Sequence, residues 1–200
     1  MTRASDIPAH RLKQMKRAIR REILARRDAL SQAERAAKSS AIAELLFAVP
    51  EIRAARTVML FWSFGSEVDT APMIERLATG ERRVILPRIE SGEAVPVTYR
   101  PGDPISETPF GAMEPSSGDV VDPMELDAVI TPGVAFDRRC NRSGYGGGFY
   151  DRLFGRARPD VSKIAVAFAL QLVDAVPAGR HDRRVDLVVT EDEVIRCAGA

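Results

Sequence analysis

The stretch PGVAFDRRCNRSGYGGGFYD, residues Pro132 to Asp151, decides the fold that this sequence predicts. It contains five of the chain's fourteen glycines and joins an apolar run, 128–131, to an amphipathic stretch that begins at Gly148. A strand, a glycine-rich loop and a helix start in that order are typical of anion sites in α/β proteins, because free amides at the helix N-terminus converge on the ligand. Glycine also lets the backbone approach an anion closely. The stretch therefore predicts a phosphate-binding loop.

On either side of this loop, short apolar runs alternate with helical patterns. Helices are predicted at about residues 12–30, 31–49 and 70–78, the second from a Ser31–Glu34 capping box and the third with Thr70 as its N-cap. Buried strands are predicted at residues 57–62, 83–87, 128–131, 163–168 and 185–190, with a weaker one at 95–99. This alternation predicts an α/β fold with a mainly parallel sheet and helices on both faces.

Length and composition favour one globular domain. The chain has 200 residues, of which 45% are hydrophobic and 28% charged, which is enough to build a sizeable core. Residues 1–10 have no periodicity and are predicted to be disordered, so that residues 11–200 form the single domain. Residues 100–126 include five of the thirteen prolines and predict a long irregular excursion, of the kind that is often functional or mobile.

Charge and cysteine content narrow the class of protein. The net charge of +1 provides no overall attraction to nucleic acid or membranes. Cys140 and Cys197 are too few and too far apart for a disulfide framework or a zinc site of recognisable spacing, which favours a reducing compartment, the cytoplasm. No apolar run approaches about 18 residues and no signal segment begins the chain, so we expect neither membrane insertion nor export.

The glycine loop and one arginine form the first candidate site. Its glycines, together with the fixed charge and planar fork of Arg142, suit a phosphate; they are Gly144, Gly146, Gly147 and Gly148. The spacing is not that of a Walker loop, and the pattern G-x-G-x-x-G does not follow a strand directly. A plain tight loop is the alternative.

Basic and acidic side chains elsewhere are further candidates. Lys16 and Arg20 lie one turn apart on the first predicted helix and suit a polyphosphate, although a solvated basic face is the alternative. Asp151, in the first turn of a helix, either favours the helix dipole or binds Mg²⁺ beside phosphates.

Two loops that border predicted strands add acidic candidates. His181 and Asp182 lie in a loop shortly before a strand, where catalytic loops of α/β sheets often occur, although such a pair is also common by chance. Glu67 follows a predicted strand at the sheet edge where ligands bind, and the alternative is an acid that, like Asp69, precedes a helix.

Together these residues resemble the 5-formyltetrahydrofolate cyclo-ligase family, also called 5,10-methenyltetrahydrofolate synthetases. Residues 132–151 are similar to that family's motif, Pro-Gly-Val-Ala-Phe-Asp, two variable residues, then Gly-x-Arg-Leu-Gly-x-Gly-x-Gly-Tyr-Tyr-Asp. Further matches follow in the expected order across nearly the whole chain: Lys16-x-x-x-Arg20, Glu67-Val68-Asp69-Thr70, Leu86-Pro87, Gly111 with Glu114-Pro115, Gln171, and Pro177 followed by His181-Asp182.

The resemblance implies a fold and a reaction. The family folds as a single Rossmann-like α/β domain and is a cytoplasmic ligase of one-carbon metabolism that forms a carbon–nitrogen bond. It uses Mg²⁺ and ATP to convert 5-formyltetrahydrofolate to 5,10-methenyltetrahydrofolate, by phosphorylation of the formyl oxygen, attack by N10, and release of ADP and phosphate. The implied partners are these small molecules, including polyglutamylated folates. No nucleic acid or membrane is implied, and a monomer is expected.

The resemblance also implies a role for each matching residue. Lys16, Arg142 and Asp151 are the expected catalytic residues, and Asp151 and Asp182 are expected to serve Mg²⁺ directly or through water. The expected ATP-binding residues are Lys16, Arg20, Arg142, Gly144, Tyr145, Gly146, Gly147, Gly148 and Tyr150. The expected folate-binding residues are Trp62, Glu67, Phe149 and Tyr150.

The chain departs from the family motif at several positions. Cys140 replaces a glycine and Ser143 an aliphatic residue, Phe149 lacks a tyrosine hydroxyl, and Tyr145 and Gly147 stand where some members have basic residues. These departures motivate an alternative, a folate- or nucleotide-binding regulator of the same fold with weak catalysis. A further alternative is nucleic-acid binding through the basic first helix, which predicts a steep salt dependence.

Overall fold

A seven-stranded sheet flanked by helices organises the protein in a computed structural model that describes residues 8–108 and 111–197. The helices are α1 (Ala9–Asp28), α2 (Gln32–Ala48), α3 (Pro50–Ala54), α4 (Ala71–Ala78) and α5 (Phe149–Arg156). The strands are β1 (Thr57–Met59), β2 (Arg83–Glu90), β3 (Glu93–Tyr99), β4 (Ile105–Glu107), β5 (Met113–Pro115), β6 (Ala128–Thr131), β7 (Ala135–Phe136), β8 (Arg142–Ser143), β9 (Ser162–Val166), β10 (Leu187–Val189) and β11 (Val194–Arg196).

The sheet is parallel at its centre and antiparallel at both edges. Its strand order is β11-β10-β9-β6-β1-β2-β3. The pairs β10–β9, β9–β6, β6–β1 and β1–β2 are parallel, whereas β2–β3 and β10–β11 are antiparallel. The predicted α/β fold with a mainly parallel sheet is confirmed.

Both faces of the sheet are covered, as the continuous apolar runs of its strands predict. In β1, Val58 packs with Ile42 of α2 and Ile74 of α4, while the next residue, Met59, packs with Leu153 of α5 on the opposite face. Successive side chains of a strand point to opposite faces, so one apolar run supplies two core layers. This packing fixes the sheet edge at which the loops meet.

The first two helices lie close to their predicted bounds. Helix α1 begins at Ala9, so Ala9 and His10 are helical although they belong to the predicted disordered segment; residues 1–7 lie outside the described residues. The capping box of α2 is confirmed: Ser31 Oγ accepts a hydrogen bond from the Glu34 amide at 3.2 Å, and the Glu34 carboxylate accepts one from the Ser31 amide at 2.9 Å.

Thr70 stands at the start of α4 as predicted, but its hydroxyl has a different role. It donates to the Phe61 carbonyl at 2.7 Å and accepts a hydrogen bond from the Ser63 amide at 2.9 Å. The Asp69 carboxylate accepts from the first helical amide instead, that of Ala71, at 3.1 Å. Thr70 therefore ties the end of the loop that follows β1 back to its beginning, and Glu67 lies within this loop.

Six helices and strands were not predicted: α3, β4, β5, β7, β8 and β11. Pro50, which follows the predicted second helix, begins α3. Residues 100–126 are less irregular than expected, because β4 and β5 form a hairpin there; residues 109 and 110 of this excursion lie outside the described residues. Between β6 and the glycine loop, β7 and β8 form a second hairpin. Two-residue strands of this kind have too short a pattern to be recognised in a sequence. Within the described residues, no helix is long and apolar enough to cross a membrane.

A disulfide joins Cys140, in the turn between β7 and β8, to Cys197, just after β11. The sequence analysis expected no disulfide framework, and the structure corrects this for one bond. The two cysteines are 57 residues apart in sequence, but antiparallel pairing of β11 with β10 brings their Cα atoms to 6.0 Å. Cys140 has a φ of 58°, in the left-handed region that favours the glycine of the family motif.

Reduction of this disulfide should lower the free energy of unfolding by about 2 to 4 kcal/mol, because the bond restricts the unfolded chain. Urea titrations with and without dithiothreitol measure the change. In a Cys197→Ala control, stability should not respond to the reductant. Titration of two reactive thiols in the native protein without reductant would contradict the pairing.

Candidate functional site

A cavity of about 930 Å³ opens beyond the carboxyl ends of β1 and β6. In open α/β sheets this edge is where ligands bind. The residues to which the resemblance gave roles all line this cavity: Lys16, Arg20, Trp62, Glu67, Arg142, Gly144, Tyr145, Gly146, Gly147, Gly148, Phe149, Tyr150, Asp151 and Asp182. His181, the other candidate of the loop that holds Asp182, does not line it. The structure thus brings the predicted set together, and the individual roles stay predictions.

The glycine loop reaches the cavity from β8 and ends at the first residue of α5. Gly148 is the N-cap of α5 and has a φ of 68°, and Gly146 has a φ of 109°. Both values lie where an L-residue is strained, and a Cβ atom on Gly146 would stand 2.9 Å from the Arg20 guanidinium. The free amides at the start of α5 and the positive end of its dipole therefore border the cavity, as an anion site requires.

Helix α1 presents its cations to the same cavity. Arg20 donates to the Tyr145 carbonyl of the glycine loop at 3.1 Å. Lys16, one turn earlier, pairs with the Asp182 carboxylate, at 2.6 Å to Oδ1. The helix and the loop therefore converge on one space, which is the placement that binding of a single polyphosphate requires.

Arg142 lies almost fully buried at the base of the loop. Its guanidinium donates to Asp151 Oδ1 at 3.2 Å and to the Pro132 carbonyl at 3.3 Å. Asp151 also accepts from the Arg183 amide at 3.0 Å. The structure thus fixes a buried cation beside the helix N-terminus, with a carboxylate as its counter-ion.

The carboxylates of the cavity fit a magnesium ion that is bound together with phosphates. Mg²⁺ usually takes one or two protein carboxylates and fills its remaining positions with phosphate oxygens and water. Asp151 and Asp182 provide two such carboxylates on the cavity wall. Among the described residues there is no group of three or more acidic, histidine or cysteine side chains that could hold a metal alone. The donor set therefore suits an ion brought by a nucleotide.

Glu67 lies on the loop that follows β1, the part of the cavity wall that we call its Glu67 end. It is 7% exposed, and one of its oxygens accepts a hydrogen bond from the Phe64 amide at 3.2 Å. Burial raises the pKa of this carboxyl to about 7, although the Phe64 amide, the Arg27 charge and the Tyr145 hydroxyl oppose that rise. The carboxyl is therefore placed to exchange a proton near neutral pH.

Aromatic rings line the wall around Glu67. Trp62 packs edge-to-face on Tyr99, with ring centroids 5.8 Å apart, and Phe64 packs on Tyr145 at 5.4 Å. Burial raises the pKa of the Tyr150 hydroxyl, and the nearby Glu67 charge raises it further. Flat apolar walls with a buried carboxylate and a neutral hydroxyl suit a planar heterocycle that donates hydrogen bonds.

The unsatisfied polar atoms of the protein concentrate at this cavity. In the described part of the chain, six buried side-chain nitrogen or oxygen atoms have no hydrogen-bond partner, and five belong to residues that line the cavity. These five are Arg20 Nε, Glu67 Oε1, Arg142 Nε, Ser143 Oγ and Tyr150 Oη. Buried polar groups are nearly always paired in folded proteins. Their concentration here indicates partners that a ligand supplies.

Sequence reasoning missed several residues of the site. Ser143 was noted only as a departure from a motif, yet its buried hydroxyl belongs to the cavity. Met113 and Glu114 of β5 also line the cavity, although the sequence analysis treated Glu114 only as a match to the family and assigned it no role. Arg27, which is 3% exposed, bonds to Tyr145 behind the wall. His181 lies at the exposed surface, where it accepts a hydrogen bond from Arg180 at 2.8 Å.

The raised pKa of Glu67 generates a stability prediction. Because the pKa rises from 4.5 to about 7 on folding, the folded protein holds a proton that the unfolded chain releases, and stability falls as pH increases through that window. The free energy of unfolding of Glu67→Gln minus that of the wild type should therefore increase by on the order of 2 kcal/mol as the pH is raised from about 5 to about 8. Urea titrations at both pH values measure this.

The matched control is Glu22→Gln, which removes an exposed carboxylate from α1. If the two variants show the same pH dependence, the pKa of Glu67 is not raised.

Comparison with known proteins assigns this chain to a family. The model of the 5-formyltetrahydrofolate cyclo-ligase family matches residues 12–191. The 5-formyltetrahydrofolate cyclo-ligase of Escherichia coli (strain K12) is 34% identical over 175 residues, which cover 84% of this chain and 96% of the relative. The Mus musculus protein of the same name is 29% identical over 190 residues, covering 88% of this chain and 94% of the relative.

Solved structures agree with this assignment. The NMR structure of Aquifex aeolicus 5,10-methenyltetrahydrofolate synthetase superposes with a TM-score of 0.83 at 33% identity and covers 93% of this chain and 94% of that one. The Mycoplasma pneumoniae 5,10-methenyltetrahydrofolate synthetase has the same fold, with a TM-score of 0.73 at 24% identity, covering 88% of this chain and 98% of that one. From its fold, its cavity and these relatives, the chain belongs to the 5-formyltetrahydrofolate cyclo-ligase family.

Proposed function

We propose that this protein is an enzyme that converts 5-formyltetrahydrofolate to 5,10-methenyltetrahydrofolate with ATP, releasing ADP and phosphate. Family membership supports the reaction. The observation on which the proposal rests is the cavity itself, where cations from α1 and the glycine loop line one part of the wall and a buried carboxylate with aromatic rings lines another. One space thus provides surfaces of two kinds, for a polyphosphate and for a pterin.

The proposed chemistry activates a poor leaving group. The formyl oxygen of 5-formyltetrahydrofolate attacks the γ-phosphorus of ATP, and the bond to the β,γ-bridging oxygen breaks, releasing ADP. N10 then attacks the phosphorylated formyl carbon, N10 loses its proton, and the carbon–oxygen bond breaks to release inorganic phosphate. The product is the N5–C–N10 amidinium. Positioning of the two substrates and neutralisation of charge are the main tasks of a protein in phosphoryl transfer.

Charge neutralisation falls to three side chains and one loop. Lys16, Arg20 and Arg142 border the cavity, and Arg142 is held by a hydrogen bond to the Pro132 carbonyl. The glycine loop adds backbone amides at the start of α5. A bound triphosphate would replace the carboxylates that now pair with Lys16 and Arg142, so that each cation keeps an anionic partner.

Magnesium is the proposed cofactor of this step. When bound, it would neutralise charge on the phosphate oxygens of ATP. Asp151 and Asp182 would hold it, directly or through water, because they are the carboxylates beside the proposed phosphate site.

The proposed folate-binding residues are Trp62, Glu67, Phe149 and Tyr150. Glu67 Oε1 and Tyr150 Oη are buried without partners, so a pterin that bonds to them would remove two unsatisfied groups. We further propose a single domain over residues 11–200, a monomer, polyglutamylated folates as additional substrates, and a cytoplasmic location. The location is supported by the relatives, which are metabolic enzymes, and no longer by the cysteines, because Cys140 and Cys197 form a disulfide.

A direct assay tests the proposal. Purified protein with 5-formyltetrahydrofolate, ATP and Mg²⁺ should produce the near-ultraviolet absorbance of the methenyl product together with one ADP per turnover. Omitting ATP, or chelating Mg²⁺ with EDTA, should abolish the rise. Binding of both ligands without ADP release would favour the alternative of a regulator with weak catalysis. No product under conditions in which the Escherichia coli relative turns over would contradict the proposal.

The two ends of the cavity should respond differently to mutation. Arg142→Ala should raise the KM for ATP and lower kcat, whereas Glu67→Gln should mainly raise the KM for 5-formyltetrahydrofolate. A lost hydrogen bond to a charged group is worth about 1.5 to 3 kcal/mol, so each affected constant should change roughly 10- to 100-fold.

Steady-state kinetics with each substrate varied in turn measures both constants. Arg139→Ala, an exposed arginine of the same hairpin, is the matched control for Arg142→Ala. Equal effects of Arg142→Ala and Glu67→Gln on the same substrate would show that the assigned roles are wrong.

A further inference from the structure

One buried guanidinium, that of Arg27, connects the segments that form the two ends of the cavity. Arg27 lies in the last turn of α1, the helix that also bears Lys16 and Arg20, and is 3% exposed. Its Nε donates to Ser66 Oγ at 3.0 Å, and its terminal nitrogen donates to the Tyr145 hydroxyl at 2.7 Å. Ser66 immediately precedes Glu67, and Tyr145 lies in the glycine loop.

These contacts require a planar cation with several hydrogen-bond donors. A guanidinium offers several donors in a fixed fork, so one side chain can fix the relative position of two acceptors from different segments. The Ser66 hydroxyl in turn donates to the Asp28 carboxylate, which fixes its orientation. Arg27 does not line the cavity, so its effect on a ligand must pass through Ser66 and Tyr145.

The Tyr145 hydroxyl lies between the two proposed binding regions. It accepts a hydrogen bond from Arg27. Its interaction with Glu67 partly offsets the rise in pKa that burial causes in that carboxyl. Its ring packs on Phe64, which belongs to the same loop as Glu67, while its carbonyl accepts from Arg20. A shift of Glu67 on ligand binding therefore changes the contacts of a residue whose backbone forms part of the phosphate-binding loop.

We propose that Arg27 is a positioning residue that couples occupation of the Glu67 end of the cavity to the conformation of the glycine loop, through the Tyr145 hydroxyl. The inference rests on the proposed function for the identity of the two ligands. It goes further in predicting that 5-formyltetrahydrofolate and ATP bind cooperatively and that a residue outside the cavity sets this cooperativity. Coupling of this kind is reciprocal, so each ligand should tighten binding of the other by the same factor.

The test measures that factor by calorimetry. The affinity of the protein for a non-hydrolysable ATP analogue with Mg²⁺ is determined with and without saturating 5-formyltetrahydrofolate. The folate should tighten binding of the analogue by about tenfold in the wild type, within the range usual for coupled sites. In Arg27→Met and in Tyr145→Phe the factor should fall to nearly one, and the double variant should show no further loss, because both changes break one connection.

Arg26→Met is the matched control. It makes the same substitution at the neighbouring, exposed position of α1 and should keep the wild-type coupling factor. If Arg27→Met fails to fold, as judged by circular dichroism and thermal unfolding, Tyr145→Phe decides, because it removes one hydroxyl and keeps the ring that packs on Phe64. An unchanged coupling factor in Tyr145→Phe, or in a folded Arg27→Met variant, would overturn the proposal.

A pH profile separates this role from a merely structural one. Glu67 faces Arg27 from α1, Tyr145 from the glycine loop and Tyr150 from α5. Because the Arg27 charge favours the ionised carboxylate, its removal in Arg27→Met should move the midpoint of the folate-binding pH profile upward, whereas Arg26→Met should leave it in place. An unshifted midpoint in a folded Arg27→Met variant would also contradict the proposal.

The outcomes distinguish this inference from the proposed function. If the wild type does not bind 5-formyltetrahydrofolate, both are wrong. If the wild type binds both ligands and turns over but shows no coupling, only the role of Arg27 is wrong. If coupling is present but no product forms, the proposed activity fails and the role of Arg27 stands.

Discussion

The approach of helix α1 to the glycine loop is the constraint on which the site depends. Arg20 donates to the Tyr145 carbonyl, and a Cβ atom on Gly146 would stand 2.9 Å from the Arg20 guanidinium. A side chain at that position would displace the guanidinium from this contact, and the φ of 109° would strain it. The glycines therefore do more than make the loop flexible, because they allow two positively charged elements to border one volume.

The cations that border the cavity would destabilise the folded protein if they had no counter-ions. Converging cations repel one another, and a buried ion without a partner is strongly unfavourable. Carboxylates of the protein neutralise two of these charges: Asp182 pairs with Lys16, and Asp151 pairs with Arg142. The same carboxylates are the groups that fit magnesium, so the proposed ligand would exchange partners among charges that are already present. The charges of the site are thus paired within the protein itself.

Much of the architecture could be predicted because its signals are local. The apolar runs of β1 and β6 and the Ser31 capping box depend on neighbouring residues alone. The disulfide and Arg27 could not be predicted in the same way. Cys140 and Cys197 meet only because β11 turns back along β10. In the sequence, Arg27 is one of several arginines on a basic helix, and only tertiary packing distinguishes the buried one from its exposed neighbour Arg26.

The residues that line the candidate site were largely predictable, whereas the residues that hold them in position were not. Residues that touch a ligand must have particular chemistry at particular spacing, so Lys16, Arg142 and the glycines form a recognisable pattern. Residues that position them need only reach the right atom from any part of the chain, and many sequences satisfy that requirement. Thr70 illustrates this, because its hydroxyl binds the Phe61 carbonyl instead of capping α4.

The polar atoms of the cavity also mark where the protein gives up stability for function. Each buried polar atom without a partner costs about 1 to 3 kcal/mol, and five of them lie at the cavity in the described chain. An apolar replacement at Glu67 or Ser143 would relieve that penalty, and it would also remove the groups that await a ligand. Since only a ligand that satisfies these atoms recovers the lost free energy, the unsatisfied groups favour a polar, hydrogen-bonding ligand over an apolar one of the same shape. The selectivity of the cavity and its local instability therefore have one physical origin.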